Sequence, residues 1–436
     1  MACVTVLPGD VPVFRATTRP MTDEGPLTEW VSQRNPLIFQ RLGNGLVGRG
    51  QAHLQRFRGP HRLIDAADWW REVSRVAEVD DPLERPGTGL AAFGTFTFAD
   101  ESQMDSVMVV PEVIIGRSAE GMWRTDIRRL DMPSPTTETQ ALPTLTSTAV
   151  GPPAVDWREG EFREDDFQKA VAHAIKRINS GDADKVVLAR DIIADGVAEG
   201  SWRGAIDWLA SAYPDTHVFA VDGLVGASPE TLTRVEGGAL HLRVLAGSTA
   251  RGTDPRSDAD QSRSLATSQK DLDEHRFAVQ SVAESLRDIT DHLVVDEAPF
   301  TLKLPNLWHL ATDVIGQVPQ DRGPLDVVSA LHPTAAVAGS PRQDAIRLIG
   351  ILEPIDRGRY AGPVGWVDGA GNGEWAIALR CAQWSQPGRL TAYAGAGIVG
   401  DSRPSDELWE TNLKFEPIRQ AFRSTNSEAP SGRQAD

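Results

Sequence analysis

Tyr360-Ala-Gly-Pro-Val-Gly-Trp366, Gly373-Glu-Trp-Ala-Ile-Ala-Leu-Arg-Cys381, Tyr393-Ala-Gly-Ala-Gly-Ile-Val399 and Glu407-Leu-Trp-Glu-Thr-Asn-Leu-Lys414 form one dense run near the C-terminus. Within about one sheet's worth of chain they place a tyrosine, an arginine on a strand pattern, a glycine-rich turn, two glutamates and a lysine. That assortment suits a small acidic ligand held together with a hard cation. Ser405, preceded by Pro404 and followed by acidic residues, predicts a helix N-cap, with the helix running to about Arg423. Leu408, Phe415, Ile418 and Phe422 make its apolar stripe. Glu407, Glu410 and Lys414 share another face, because offsets of three and four stack side chains on consecutive turns. A solvated Glu-Lys face is the ordinary reading, but the turn Gly395-Ala396-Gly397 just before it lets the helix start face a ligand.

The rest of the chain limits what that ligand can be. With 436 residues, 40% hydrophobic and 24% charged, the chain can bury a large core as one large domain or two ordinary ones. A formal charge of −17 makes nucleic acid and anionic membranes poor partners for the molecule as a whole. Cys3 and Cys381 are the two cysteines, far apart, which argues against a disulfide framework and fits a reducing cytoplasm. No apolar run reaches membrane-spanning length, and the N-terminus lacks an export pattern. Residues 424–436 are small and polar, and read as a disordered tail.

Short β-type runs, such as Leu90–Phe98 and Lys185–Arg190, alternate with longer helical stretches. The Pro-rich segment from Met132 to Ala154 reads as an internal boundary or as a surface loop joining two halves of one core. The single-domain reading over 1–423 is preferred, with 1–150 the less distinctive half and 155–423 carrying the motifs. A helix is predicted from Gln269 to about His292, because Ala278, Val282, Leu286, Ile289 and Leu293 recur every three or four residues. One turn back lies Glu274, either emerging into solvent or, if buried, needing a partner or a metal.

Taken in order, Lys185-Val-Val-Leu-Ala-Arg190, Gly226-Ala-Ser-Pro-Glu230, Leu245-Ala-Gly-Ser248, the Glu274-His275 helix, His309 and the C-terminal run resemble the blocks of the chorismate-utilising enzymes. That family includes isochorismate, salicylate, anthranilate and aminodeoxychorismate synthases. The resemblance covers roughly Phe162 to Phe422. It implies an α+β fold, one large domain with two packed, mainly antiparallel β-sheets flanked by helices and the substrate in a cleft at the sheet ends. By the same resemblance Lys185 is the base that activates water, and its place at the head of an apolar run suits partial desolvation. Glu230 is the general acid for the departing hydroxyl, which needs burial to stay protonated. Without the family, Lys185 reads as an edge-strand lysine and Ser228-Pro-Glu230 as a helix start.

The resemblance further assigns Glu274, Glu407 and Glu410 to Mg²⁺, a cation that prefers oxygen ligands. Tyr360 and Arg380 are implied to grip the enolpyruvyl carboxylate, and Lys414 to lie near the metal-bound end. Gly247, Ser248, Gly395, Ala396 and Gly397 are implied to approach the substrate by their backbones. Ser248 stands where relatives commonly carry threonine. His309 is implied to lie near the ring, although a histidine in Leu307-Trp-His-Leu310 also reads as a hydrogen-bonded core residue.

Ammonia-using members of the family typically have glutamine at the position of Lys185 and act with a glutaminase. The lysine here, with no glutaminase-like cysteine elbow and no Leu-Leu-Glu-Ser segment, implies water as the nucleophile and no glutaminase subunit. Salicylate-forming relatives show a segment like Ser-Gly-Ile-Pro-Lys, whereas Leu331–Arg342 here is similar to the form found with isochorismate production. Isomerisation of chorismate to isochorismate by a monomer is therefore expected, with salicylate formation or a silent chorismate-binding subunit as alternatives. Whether such an isomerase would feed menaquinone, a catecholate siderophore or salicylate depends on neighbouring enzymes.

Overall fold

In the computed structural model, residues 11–22, 25–131, 155–197, 202–303, 307–386 and 388–423 are described, apart from the side chains of Ser248, Lys270, Glu274 and Leu307. The expected tail 424–436 and the Pro-rich segment from Met132 to Ala154 lie outside the described residues. Among the described residues the strands form two sheets, of 13 and 10 strands. Pairing is antiparallel throughout, except where Phe14–Met21 runs parallel to Glu78–Asp80.

Each sheet draws on both sides of the Met132 to Ala154 segment. In the larger, Val218 of His217–Val221 pairs with Gln40 of Leu37–Arg41; in the smaller, Val364 of Pro363–Asp368 pairs with Thr95 of Ala91–Thr95. Both joints run through buried residues, among them Phe39, Phe93, Phe219 and Trp366. A cluster containing Phe93, Phe96, Trp123, Phe219 and Trp375 fills the space between the sheets. Burying a large apolar side chain contributes about 1.5–3 kcal/mol, so these joints alone weld the two halves strongly.

A second cluster lies on the outer face of the larger sheet, under the helix Trp202–Ala212 and the C-terminal helix Pro404–Ala421. Three residues of the predicted stripe, Phe415, Ile418 and Phe422, are buried there, whereas Leu408 is partly buried against the first cluster. The N-cap lies two residues earlier than predicted, at Arg403 instead of Ser405, with Pro404 in the first turn. Proline's fixed φ and missing N–H suit that position, which leaves Ser405 free to hydrogen-bond Asp406 instead.

The other predicted helix is shorter than its apolar period. It spans Gln269–Leu286, and Asp291–Val295 is a strand. Both the N–H and the hydroxyl of Thr290 bond the Leu286 carbonyl, and His292 adopts a left-handed φ of 52°, which turns the chain out of the helix. Ile289 and Leu293 still pack against the core from beyond the helix end, so the four-residue spacing outlived the helix. Ser228-Pro-Glu230 likewise starts no helix: it joins the strands Leu224–Ser228 and Thr231–Glu236.

Candidate functional site

Lys185 opens the strand Lys185–Asp195, paired along its length with Arg389–Ile398 and at its start with Gly339–Ser340. It is partly buried between two neighbours, not an edge residue facing water. The strand opposite makes room for it: a Cβ at Gly397 would fall 2.9 Å from Lys185 Cε. A Cβ at Gly395 would fall 3.1 Å from the Tyr360 hydroxyl. Ala396, between them, points the other way into the core, so only its backbone faces the same side as its neighbours'.

Glu230 is held in the tight connection after Ser228. The Ser228 hydroxyl donates to the Ile377 carbonyl at 2.5 Å and accepts the Glu230 N–H at 3.2 Å, while the Glu230 carbonyl accepts from Ile377 N–H. Desolvation lifts the Glu230 carboxyl above the ordinary glutamate range, and the positive charges of Arg380, Lys185 and Lys414 partly offset that lift. A carboxyl so shifted keeps its proton to higher pH than a free glutamate, the direction a proton donor needs. Its three cationic neighbours come from three separate stretches of sequence.

Arg380 is the hinge of this cluster. It has a left-handed backbone, φ 48°, as does Ala361 beside Tyr360, φ 62°. Non-glycine residues held this way cost on the order of 1 kcal/mol or more and gather at functional sites. Burial depresses the Arg380 guanidinium's affinity for its proton, opposed by nearby Tyr360, Glu410 and Glu230. It remains charged, as guanidinium does in proteins. Tyr360 is buried and stacks on Tyr393, with ring centroids 5.5 Å apart, and burial pushes its hydroxyl well above the usual tyrosine range. It stays a neutral donor.

On the C-terminal helix, Lys414 Nζ donates to the Gly395 carbonyl at 2.8 Å and pairs with Glu410 one turn away. Burial lowers the Lys414 pKa; the Glu410 charge raises it again and Arg380 opposes. Glu407, a further turn back, has its carboxyl raised chiefly by desolvation, with Glu410's like charge adding to it and a Ser402 hydrogen bond opposing. Carboxylates one turn apart supply the hard oxygen donors that Mg²⁺ takes, and the like-charge repulsion between Glu407 and Glu410 is relieved by a cation. The residues present therefore fit the ion. The Glu274 side chain lies outside the description; among the described residues no cluster of three His, Cys, Asp or Glu could hold a metal.

The remaining predicted residues line a second wall. Ala239–Ala250 pairs with Leu307–Gln317, and the register slips by one residue at Gly247, which bulges with φ +77°. A side chain would be strained there. The bulge sets the Gly247 carbonyl 3.3 Å from His309 Nδ1, and Ser248 is paired with His309 across the ladder. His309 is half-buried; desolvation lowers its pKa, Gly247 opposes and the Lys185 charge adds to the lowering. It is thus neither a sealed core histidine nor distant from the lysine. Trp308, its neighbour, faces the opposite side and lines a cleft of about 690 Å³ with Arg251, Asp258 and Lys303. That cleft holds none of the sequence-predicted residues.

Charge interactions thus link His309, Lys185, Glu230, Arg380, Lys414, Glu410 and Glu407 in one continuous group. Three supporting groups escaped sequence reasoning. Glu353 and Arg357 form a buried ion pair behind the Lys185 strand, and their i, i+4 spacing ahead of Tyr360 was a readable signal. Arg190, fully buried, donates to Thr411 Oγ1 and Asn412 Oδ1 at 2.8 Å each, tying the Lys185 strand to the C-terminal helix.

Comparison with known proteins agrees with this geometry. The sequence model of the chorismate binding enzyme family matches residues 38–423. The chain is 36% identical over 270 residues to isochorismate synthase DhbC of Bacillus subtilis, covering 59% of this chain and 68% of that one. It is 34% identical over 350 residues to a putative isochorismate synthase MenF of Mycobacterium tuberculosis, covering 78% and 88%. The crystal structure of a putative 2,3-dihydroxybenzoate-specific isochorismate synthase, DhbC of Bacillus anthracis, superposes with a TM-score of 0.70 at 28% identity, covering 91% of this chain and 98% of the other. The chain belongs to the chorismate binding enzyme family.

Proposed function

We propose that this protein is an isochorismate synthase, which interconverts chorismate and isochorismate with water as nucleophile. The observation that carries the reading is a buried Glu230, its carboxyl raised by desolvation, held within reach of the charges of Arg380, Lys185 and Lys414. Lys185, as base, takes a proton from water as the water oxygen bonds to one ring carbon. Glu230, as acid, gives its proton to the ring hydroxyl as its C–O bond breaks and water departs. One water enters and one leaves, so the product is an isomer. A positioned acid or base typically supplies 10²–10⁴-fold in rate, and here both act on one ring.

Arg380, bidentate, and Tyr360, as a neutral donor, hold the enolpyruvyl carboxylate. Lys414 and the backbone at Gly247, Ser248 and Gly395 to Gly397 frame the other end, and His309 lies beside the ring. Glu407, Glu410 and Glu274 would hold Mg²⁺, which when bound neutralises the ring carboxylate and so fixes the substrate's orientation. No nitrogen nucleophile is used, so no glutaminase partner is required, and we assign the enzyme to the cytoplasm as a monomer. Incubation of the purified protein with chorismate and Mg²⁺ tests the reading. The expected outcome is an equilibrium mixture of chorismate and isochorismate without pyruvate; stoichiometric pyruvate and salicylate would replace it with salicylate synthesis, and unchanged chorismate with a silent binding subunit.

A further inference from the structure

Among the described residues, the Lys185–Asp195 strand has a full-length partner on one side only. On the other, Gly339–Ser340 pairs with Lys185 and Val186, and Trp157–Glu159 with Ile192 to Ala194. Between these short strands lies Val187 to Ala189, immediately beyond the lysine. The Val187 N–H reaches the Ala338 carbonyl at 2.9 Å. The next two main-chain groups are met by side chains: Arg357 Nη2 donates to the Val187 carbonyl at 2.7 Å, and Glu353 Oε1 accepts the Ala189 N–H at 2.7 Å.

Glu353 and Arg357 also bind each other through two parallel hydrogen bonds, Nε to Oε2 at 2.8 Å and Nη2 to Oε1 at 2.5 Å, with each side chain 2% exposed. Arg357 Nη1 donates to the Val337 carbonyl at 2.9 Å, and its guanidinium lies 4.3 Å from the Phe98 ring centroid. The Arg357 carbonyl accepts the Tyr360 N–H at 3.0 Å. The ion pair takes the place of a missing piece of strand, and it touches the supports of both Lys185 and Tyr360. A buried ion pair is a poor source of net stability, since well-packed apolar residues of similar volume often serve as well. Stability alone gives no reason for charges here.

We infer that Glu353 and Arg357 are positioning residues for the reaction, holding the backbone at Val187 to Ala189 so that Lys185 stays aligned with Glu230 across the substrate. The inference rests on Lys185 being the base. A misplacement of about 1 Å at a reacting group costs on the order of 100-fold in rate. The fork geometry matters more than the charge, because the three donors on one lysine nitrogen cannot reproduce the hydrogen bonds that Arg357 makes from three separate nitrogens to the Glu353 carboxylate and the Val187 and Val337 carbonyls.

The test uses the full-length R357K and E353Q variants, with K185A alongside, measuring kcat and KM for chorismate and checking the fold by circular dichroism and thermal melting. Expected is a fall in kcat of about tenfold or more in whichever variant folds, with KM for chorismate within about twofold of the parent. Full kcat in a folded R357K or E353Q, or a loss confined to KM, overturns the inference. If neither variant folds, the pair is structural, and that also overturns it. Full activity in K185A instead removes the assignment of the base, whatever the pair does.

Discussion

The two walls of the site are built differently. The Lys185–Asp195 and Arg389–Ile398 strands are buried over almost their whole length and are backed by the Glu353–Arg357 pair on one side and Arg190 on the other. The facing wall, Ala239–Ala250 with Leu307–Gln317, is covered by thinner material. Among described residues the helix Pro255–Thr267 buries only Asp258 and Leu265, and the helix Gln269–Leu286 leaves Phe277 61% exposed. The second helix is anchored by Leu286 in the core and by His275, whose ring nitrogens meet the Ala246 carbonyl at 3.0 Å and Thr312 Oγ1 at 2.7 Å. The proposed base is placed on the wall that can hold it still, and the bulge with His309 on the wall that can give.

The largest expected effect comes from the firm wall. Lys185→Ala removes the proposed base and should lower kcat on the order of 1000-fold while leaving the melting temperature nearly unchanged, since the lysine only opens its strand. Comparable turnover in a folded K185A protein would put the base elsewhere.

Glu230→Gln should cost on the order of 100-fold in kcat and, at neutral pH, stabilise the protein. The sign follows from a folded-state pKa raised above the unfolded value. Folding then favours the protonated carboxyl, and stability falls as pH rises from the unfolded value through the folded one. Glutamine imitates the protonated form and escapes that loss, so a rise of about 1–3 °C in melting temperature is expected at pH 7.5 and none at pH 4. A lower melting temperature at pH 7.5 would contradict the desolvated state of Glu230.

Glu410→Gln should raise the Mg²⁺ concentration giving half-maximal activity about tenfold, equivalent to about 1.4 kcal/mol of binding. An unaltered Mg²⁺ requirement would count against a metal on the C-terminal helix. The mildest test needs no substitution. Amide hydrogen exchange should be severalfold faster in Pro255–Thr267 and Gln269–Leu286 than in Lys185–Asp195, and equal protection would erase the contrast between the walls.

Much of this was legible in the sequence, and the failures have local causes. The C-terminal helix was readable because its stripe, Leu408 to Phe422, is buried on one face and its glutamates share another. The order of blocks from Lys185 to Lys414 carried the family and hence the two-sheet fold, which no periodicity in the chain displays. The helix end at Leu286 was hidden because Leu293 continues the apolar spacing from a strand. Ser228-Pro-Glu230 imitates a helix start, yet the Ser228 hydroxyl is spent on the Ile377 carbonyl, a contact 149 residues away in sequence. The Glu353–Arg357 pair left only its i, i+4 spacing in the sequence; its other partners, Val187 and Ala189, are visible only once the strand is in place.

The central claim is that water, deprotonated from the Lys185 side, supplies the new ring hydroxyl as the old one leaves with the Glu230 proton. The most direct measurement is isochorismate formation from unlabelled chorismate in ¹⁸O-enriched water, read by mass spectrometry of the product. Incorporation of one ¹⁸O into the ring of each isochorismate formed is predicted. Isochorismate formed without the label would show that the original hydroxyl migrates, and would contradict the account.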